Sequence, residues 1–253
     1  MLFRSHAAGG SANTVYLTID TGHMGVASLI EQVLQRHGIR ATFFLANERT
    51  QAVGKRTAGS TLDDQWAPWW RDLAVQGHDF GSHTWDHISW LGDLPGDRFR
   101  FRPSAGLQAG RVLTLDAAQY GQELAHPARR FAEMTGRPMR ALFRAPGGKT
   151  SPALLAAARS QGWHHVPWTP AGFLGDELPS ERFPNDRLLA QALAHIRGGD
   201  ILLMHLGIWS RKDPWAPAVL EPLVEGLLAR GLRFDSLLAH PAYAAVGPAP
   251  TGA

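Results

Sequence analysis

Short apolar runs alternate with amphipathic segments along most of the chain. The first pair is typical: residues 15–20 (VYLTID) form an apolar run, and residues 27–36 carry their apolar side chains at helical spacing up to a stop at Gly38. Six further apolar runs predict strands, at residues 41–45, 79–83, 141–144, 165–169, 201–205 and 232–237. Helical patterns fall between them, at residues 63–75, 116–135, 152–160, 185–196 and 216–230. This alternation predicts an α/β fold in which seven parallel strands are closed or wound under their helices.

One long segment breaks the alternation. Residues 88–115 are rich in Gly, Pro and Arg, and we predict that they form a loop overhanging the site, because long loops in compact domains are usually functional. A length of 253 residues suits a single domain. We place it at residues 15–240, between an N-terminal tail at 1–14 and a C-terminal tail at 241–253.

Composition excludes several classes of protein. Charged residues make up 19% of the chain and are scattered, so neither disorder nor nucleic-acid binding is expected despite a net charge of +3. The absence of cysteine excludes disulfides, thiolate metal sites and a cysteine nucleophile. No apolar run is long enough for a transmembrane segment, and residues 1–14 lack the apolar centre of a signal peptide, which leaves the localisation uncertain.

Five polar residues stand at the carboxyl ends of predicted strands: Asp20, His83, His87, Arg144 and His205. Parallel strands bring these ends to one edge, where barrel enzymes assemble their sites. Separate explanations exist for each residue, such as a capped turn, a buried imidazole or a surface charge. A single metal-dependent hydrolase site accounts for all of them together, and we favour it.

Four motifs in order make the chain resemble the polysaccharide deacetylase family, the NodB-like carbohydrate esterases. Residues 18–22 (TIDTG) resemble the family's Thr-Phe-Asp-Asp-Gly, and residues 83–87 (HTWDH) its His-Ser/Thr-x-x-His. Residues 144–146 (RAP) resemble Arg-x-Pro, and residues 203–205 (LMH) resemble Leu-x-His. The resemblance implies a distorted (β/α) barrel, similar to a TIM barrel, with about seven strands. It also implies a hydrolase that depends on a divalent metal, zinc in our expectation, and removes N- or O-acetyl groups from a polysaccharide or oligosaccharide.

The family roles transfer to matching positions of this chain. Asp20 resembles the general base that takes a proton from metal-bound water, and His83 and His87 resemble metal ligands. Arg144 would keep Asp20 ionised and oriented. His205 resembles the general acid that protonates the leaving group.

The first motif departs from the family at its metal ligand. Thr21 stands where the family has an Asp that binds the metal, and a neutral hydroxyl binds zinc poorly. His23, two residues further on, is a candidate replacement that would give a three-histidine site. There are two alternatives: a water molecule replaces the missing ligand, or His23 only caps the following helix.

Substrate contacts are expected from Pro146, Gly147, Trp168, Trp85 and Trp209. Gly147 stands where the family often has an aromatic residue, so only its backbone N–H remains to hold an oxyanion. Trp168 resembles an aromatic residue of the acetyl pocket, although packing in the core is an alternative. The tryptophans at 66, 69 and 70 are spaced as on a helix and are expected to pack against the sheet.

Asp176 is the candidate for the acidic residue that tunes the general acid, with a surface aspartate as the alternative. Two other functions stay open. One is a carbohydrate-binding barrel impaired in catalysis by Thr21, and the other is a hydrolase of small formamides or cyclic amides from the same superfamily. Family analogy favours an acetylated glycan substrate and an exported protein, whereas the oligomeric state is not predicted.

Overall fold

A computed structural model describes residues 11–250 of the chain. The outer parts of the two predicted tails, residues 1–10 and 251–253, lie outside the described residues. The strands are β1 Thr14–Asp20, β2 Thr42–Leu45, β3 Arg49–Thr50, β4 Gly59–Ser60, β5 Asp79–Ser82, β6 Ile88–Leu94, β7 Arg98–Pro103, β8 Leu113–Asp116, β9 Leu142–Phe143, β10 His164–His165, β11 Ile201–His205 and β12 Arg233–Asp235. The α-helices are α1 Ala27–His37, α2 Ala67–Val75, α3 Ala117–Thr135, α4 Pro152–Ser160, α5 Asn185–His195 and α6 Leu220–Ala229.

Seven strands form one parallel sheet, which confirms the predicted fold class. Their order is β10-β9-β5-β2-β1-β11, and β12 pairs with the first half of β1. The two outer strands are not paired with each other. The chain that follows β10 links them instead, since the Thr169 N–H donates to the Ile201 carbonyl at 3.2 Å and Phe173 bridges to Leu203. The result is an incomplete, distorted barrel in a single domain.

The prediction of a loop at residues 88–115 is wrong. Strands β6, β7 and β8 form a three-stranded antiparallel sheet here. Strand β7 alternates arginine with phenylalanine, so that Phe99 and Phe101 are buried while the arginines face outward. This two-residue period is the signature of a half-buried strand, and the high content of Gly, Pro and Arg concealed it.

Helix α2 and Trp66, the residue just before it, show the expected aromatic packing. Trp66, Trp69 and Trp70 are all buried, and the Trp70 indole N–H donates to the Thr61 carbonyl at 2.8 Å. Helix α6 begins at Leu220 rather than at the predicted residue 216.

The C-terminal segment lies along the sheet. The Ala141 N–H donates to the Gly247 carbonyl at 2.9 Å, and the Ala249 N–H donates to the Met139 carbonyl at 2.8 Å. Within residues 11–250, the helices are all too short or too polar to cross a membrane.

We expect Trp70→Ala to destabilise the fold by about 3 to 5 kcal/mol, because it opens a cavity and leaves the Thr61 carbonyl without its donor. Chemical denaturation followed by circular dichroism would measure the loss. Val75→Ala is the control on the same helix: its side chain is 66% exposed, and the expected change is within about 0.5 kcal/mol. Equal losses in the two variants would contradict a core role for Trp70.

Candidate active site

A cavity of about 350 Å³ lies at the carboxyl ends of the parallel strands. It brings together eight of the residues singled out in the sequence: Asp20, Thr21, His83, His87, Gly147, Trp168, His205 and Trp209. The convergence follows from the parallel sheet, since β1 and β11 are neighbours with Asp20 directly beside His205 in register.

A buried ion pair lies behind the cavity. Arg144 Nη1 donates to Asp20 Oδ1 at 2.8 Å, and both side chains are almost fully buried. Burial alone would raise the pKa of Asp20, but the charges of Arg144 and the nearby histidines outweigh it and hold the pKa below its ordinary value. Asp20 is therefore an ionised carboxylate at neutral pH, with one oxygen fixed by the guanidinium.

His83 is a neutral imidazole with a defined tautomer. Its Nδ1 lies 2.9 Å from the Arg144 carbonyl, which can only accept, so Nδ1 carries the hydrogen and Nε2 presents a lone pair. That Nε2 is 3.5 Å from Asp20 Oδ2. Burial lowers the pKa of His83 to about 4, outweighing the opposite effect of Asp20. A neutral ring with a free Nε2 is the form in which histidine binds a metal.

The turn from His83 to His87 brings the two imidazoles together without a helix. Thr84 (φ 61°) and His87 (φ 49°) both adopt left-handed backbone conformations, and the ring centroids are 4.8 Å apart. The Thr84 hydroxyl compensates in part by accepting the Ile88 N–H at 2.9 Å. His87 Nδ1 lies 2.6 Å from the Ser104 hydroxyl, which leaves Nε2 as the ring nitrogen without a hydrogen bond.

Thr21 is engaged with a carboxylate that sequence reasoning missed. Its hydroxyl lies 2.5 Å from Glu48 Oε2, and Glu48 lines the same cavity. Glu48 follows β2 by three residues. Like Asp20, Glu48 therefore lies near the carboxyl end of a strand, and this position in the sequence was a signal that could have identified it.

His205 is held by an acidic pair. Asp176 accepts the His205 backbone N–H at 2.7 Å and lies 3.1 Å from its Nδ1. Burial alone would lower the pKa of His205, but the charge and hydrogen bond of Asp176 raise it to about 9. Glu177 lies 3.6 Å from His205 Nε2, and its own pKa is raised by burial. Sequence reasoning missed Glu177, although it adjoins Asp176.

His23 does not line the cavity that contains His83 and His87. Its Nδ1 accepts the Gly25 N–H at 2.9 Å, and its ring packs over Gly207 with an edge toward Trp209. It lines a separate cavity of about 30 Å³ together with Asp176. This placement does not support a three-histidine metal site.

Two expected substrate contacts do not reach the cavity. The left-handed turn at Thr84 directs Trp85 toward α3, where its ring stacks on His126 with centroids 3.6 Å apart. Pro146 is buried and is not among the lining residues. By contrast, Trp168 does line the cavity, and the absence of a side chain at Gly148 permits this, since a β-carbon at Gly148 would lie 2.4 Å from the indole ring.

The donor chemistry of the cavity suits a divalent metal. Two imidazoles each have Nδ1 held by a hydrogen bond, and carboxylates lie nearby. Their donor atoms are not closely clustered, however. Within residues 11–250, three such donors come within 4.8 Å of one another only at His37, Glu221 and Glu225, on the outer helices. Metal binding in the cavity would thus require its donor side chains to move closer together.

Comparisons with known proteins agree with this architecture. The sequence model of the family described as Polysaccharide deacetylase matches residues 7–166. A chitooligosaccharide deacetylase of Azorhizobium caulinodans is 25% identical over 235 residues, which cover 89% of this chain and 93% of the relative.

Solved structures share the fold. A family 4 acetyl xylan esterase from Clostridium thermocellum, in complex with a cobalt ion, is 20% identical with a TM-score of 0.66, covering 94% of each chain. A CE4 family pseudoenzyme from Bacillus anthracis is 18% identical with a TM-score of 0.63, covering 90% of this chain and 65% of that one. The family match spans more than half of the sequence, and the chain therefore belongs to the polysaccharide deacetylase family of carbohydrate esterases.

Proposed function

We propose that this protein is a metal-dependent hydrolase that removes acetyl groups from a polysaccharide or oligosaccharide. One observation carries the proposal: an ionised Asp20 and a His205 whose pKa is about 9 line the same cavity from neighbouring strands. Hydrolysis of an acetyl group needs a base to activate water and an acid to protonate the departing atom. A protein that only binds sugars needs neither.

Asp20 acts as the base and Arg144 as its positioning residue. Oδ1 is held by the guanidinium, so Oδ2 is the oxygen that accepts a proton from the attacking water. A carboxylate kept ionised by a buried cation stays in its basic form at neutral pH.

His205 acts as the acid. At neutral pH its imidazole is protonated, and Asp176 fixes its orientation through Nδ1, which leaves the Nε2 proton for the leaving group. An amine departs readily only after it is protonated, so this arrangement favours an N-acetyl amide. The backbone N–H of Gly147, at the cavity wall, is the candidate donor to the oxyanion.

His83 and His87 would hold the metal, for which zinc is our candidate. When bound there, a divalent metal would polarise the acetyl carbonyl and lower the pKa of water. His83 is suited to this role because it is neutral and its tautomer is fixed by the Arg144 carbonyl.

The substrate we propose is an acetylated glycan, and chito-oligosaccharide is the first candidate. The relative named as a chitooligosaccharide deacetylase supports it, because the alignment covers 93% of that protein. Trp168 lines the cavity, and Trp209 is 60% exposed at its edge, where an aromatic face can pack against a sugar ring.

Asp20→Asn is expected to reduce acetate release from N-acetylated chito-oligosaccharides by about 100- to 10,000-fold, because the amide cannot accept the proton. Zinc content should stay at the wild-type level, since Asp20 is not one of the proposed ligands. Enzymatic acetate detection and metal analysis on the same preparation would measure both. Full activity in the variant would remove Asp20 as the base. Sugar binding without turnover in the wild type would favour a binding barrel.

Removal of the metal with a chelator should abolish turnover. Added zinc should restore turnover and bring the metal content to about one zinc per chain. His83→Ala should prevent reloading because it removes an imidazole ligand. Mass spectrometry of the desalted protein would count the metal. His164→Ala, at an exposed histidine, is the control and should reload like the wild type. Equal turnover before and after stripping would contradict metal dependence.

Asp176→Asn should move the alkaline limb of the pH–rate profile to lower pH by about 1 to 3 units. The acid must be protonated, so activity falls as pH rises through the pKa of His205, which is about 9 in the wild type. Loss of the negative partner removes the main factor that raises this pKa. Asp186→Asn, at an exposed position, should leave the limb in place. An unshifted limb in Asp176→Asn would show that His205 is not the group that titrates.

A further inference from the structure

The first motif leaves the proposed metal one ligand short. Catalytic zinc sites usually have three protein ligands, whereas the positions that match the family's ligands here hold the imidazoles of His83 and His87 and the neutral hydroxyl of Thr21. A carboxylate from another segment would complete the set.

The hydroxyl of Thr21 holds such a carboxylate. Thr21 Oγ1 accepts the Ala46 backbone N–H at 3.1 Å, so its own hydrogen is free to be donated, and it lies 2.5 Å from Glu48 Oε2. The direction of the bond is therefore fixed: threonine donates and glutamate accepts. Thr21 thus holds a carboxylate beside the position where the family motif has one of its own.

The backbone of Glu48 is fixed by a second threonine. The Glu48 N–H donates to Thr61 Oγ1 at 3.2 Å, and the Thr61 N–H donates to the Glu48 carbonyl at 2.9 Å. Thr61 is fully buried and also donates its hydroxyl to the Ala46 carbonyl. The segment from 46 to 48 is therefore anchored, and because Thr21 holds Oε2, the other carboxylate oxygen, Oε1, is the one left for a metal.

Glu48 also differs from the other two carboxylates that line the cavity. Asp20 is paired with Arg144, and Glu177 lies 3.6 Å from His205. Among residues 11–250 no cationic side chain lies within ion-pair distance of Glu48. It is the cavity carboxylate available to balance the charge of a metal.

We propose that Glu48 is the third protein ligand of the metal, with Thr21 as its positioning residue. The carboxylate that the family supplies from β1 is here supplied from the end of β2, and threonine replaces aspartate without loss of the site. This inference rests on the proposed metal-dependent function.

The test is the affinity of the protein for zinc, measured by competition with a chromophoric chelator, together with the visible absorption of the cobalt form. Glu48→Gln should weaken zinc binding at least about tenfold and change the cobalt spectrum, because the amide is a poor ligand. Glu177→Gln is the matched control: it removes a carboxylate from the same cavity and should change zinc affinity by less than about twofold. Circular dichroism would verify that each variant is folded.

Three further variants separate ligation from general loss of charge. Glu48→Gln combined with Thr21→Asp should recover the affinity, because it restores the family's own carboxylate. Thr21→Val should weaken binding, whereas Thr21→Ser should retain it, since only the hydroxyl positions Glu48.

The outcomes distinguish this inference from the proposed function. Zinc binding that is lost in His83→Ala but unchanged in Glu48→Gln would overturn the role of Glu48 and leave the metal-dependent hydrolase intact. Loss of zinc in Asp20→Asn, with Glu48→Gln unaffected, would identify Asp20 as the ligand instead. An absence of zinc binding in the wild type would overturn both proposals.

Discussion

The buried ion pair of Asp20 and Arg144 is the interaction on which the site depends. It joins the end of β1 to the segment that follows β9, and Arg144 Nε also donates to the Val166 carbonyl beyond β10. The guanidinium lies 4.5 Å from the ring centroid of Phe44 at the end of β2. Such a pair adds little net stability, but removing one partner costs about 3 to 5 kcal/mol because a buried charge is left behind. The pair therefore fixes the relative positions of several strand ends.

Different neighbours set the protonation states of groups that share this cavity. Arg144 keeps Asp20 ionised, burial keeps His83 neutral, and Asp176 keeps His205 protonated. Each group is in the form that its proposed role requires at neutral pH. In the proposed mechanism water is the nucleophile, so the protein supplies only a base and an acid.

The antiparallel sheet β6-β7-β8 contributes residues to the site, whereas the sequence predicts a loop that only overhangs it. Ser104, just after β7, holds the Nδ1 of His87, and Ser89 in β6 lines the cavity. The buried face of β7 anchors this sheet through Phe99 and Phe101. That anchoring supports the left-handed backbone of the histidine motif, which costs about 1 to 3 kcal/mol at each such residue and persists only when its surroundings enforce it.

The sequence by itself determined the seven parallel strands, the helices between them and the strand-end positions of Asp20, His83 and His205, because periodicity records which face of an element is buried. Tertiary structure decided which side chains meet across separate segments. Glu48 reaches Thr21 across 27 residues of the chain, a pairing that no local pattern encodes. Trp85 and His23 stand close in sequence to predicted site residues, but the turns at residues 84 and 22–25 direct their side chains elsewhere.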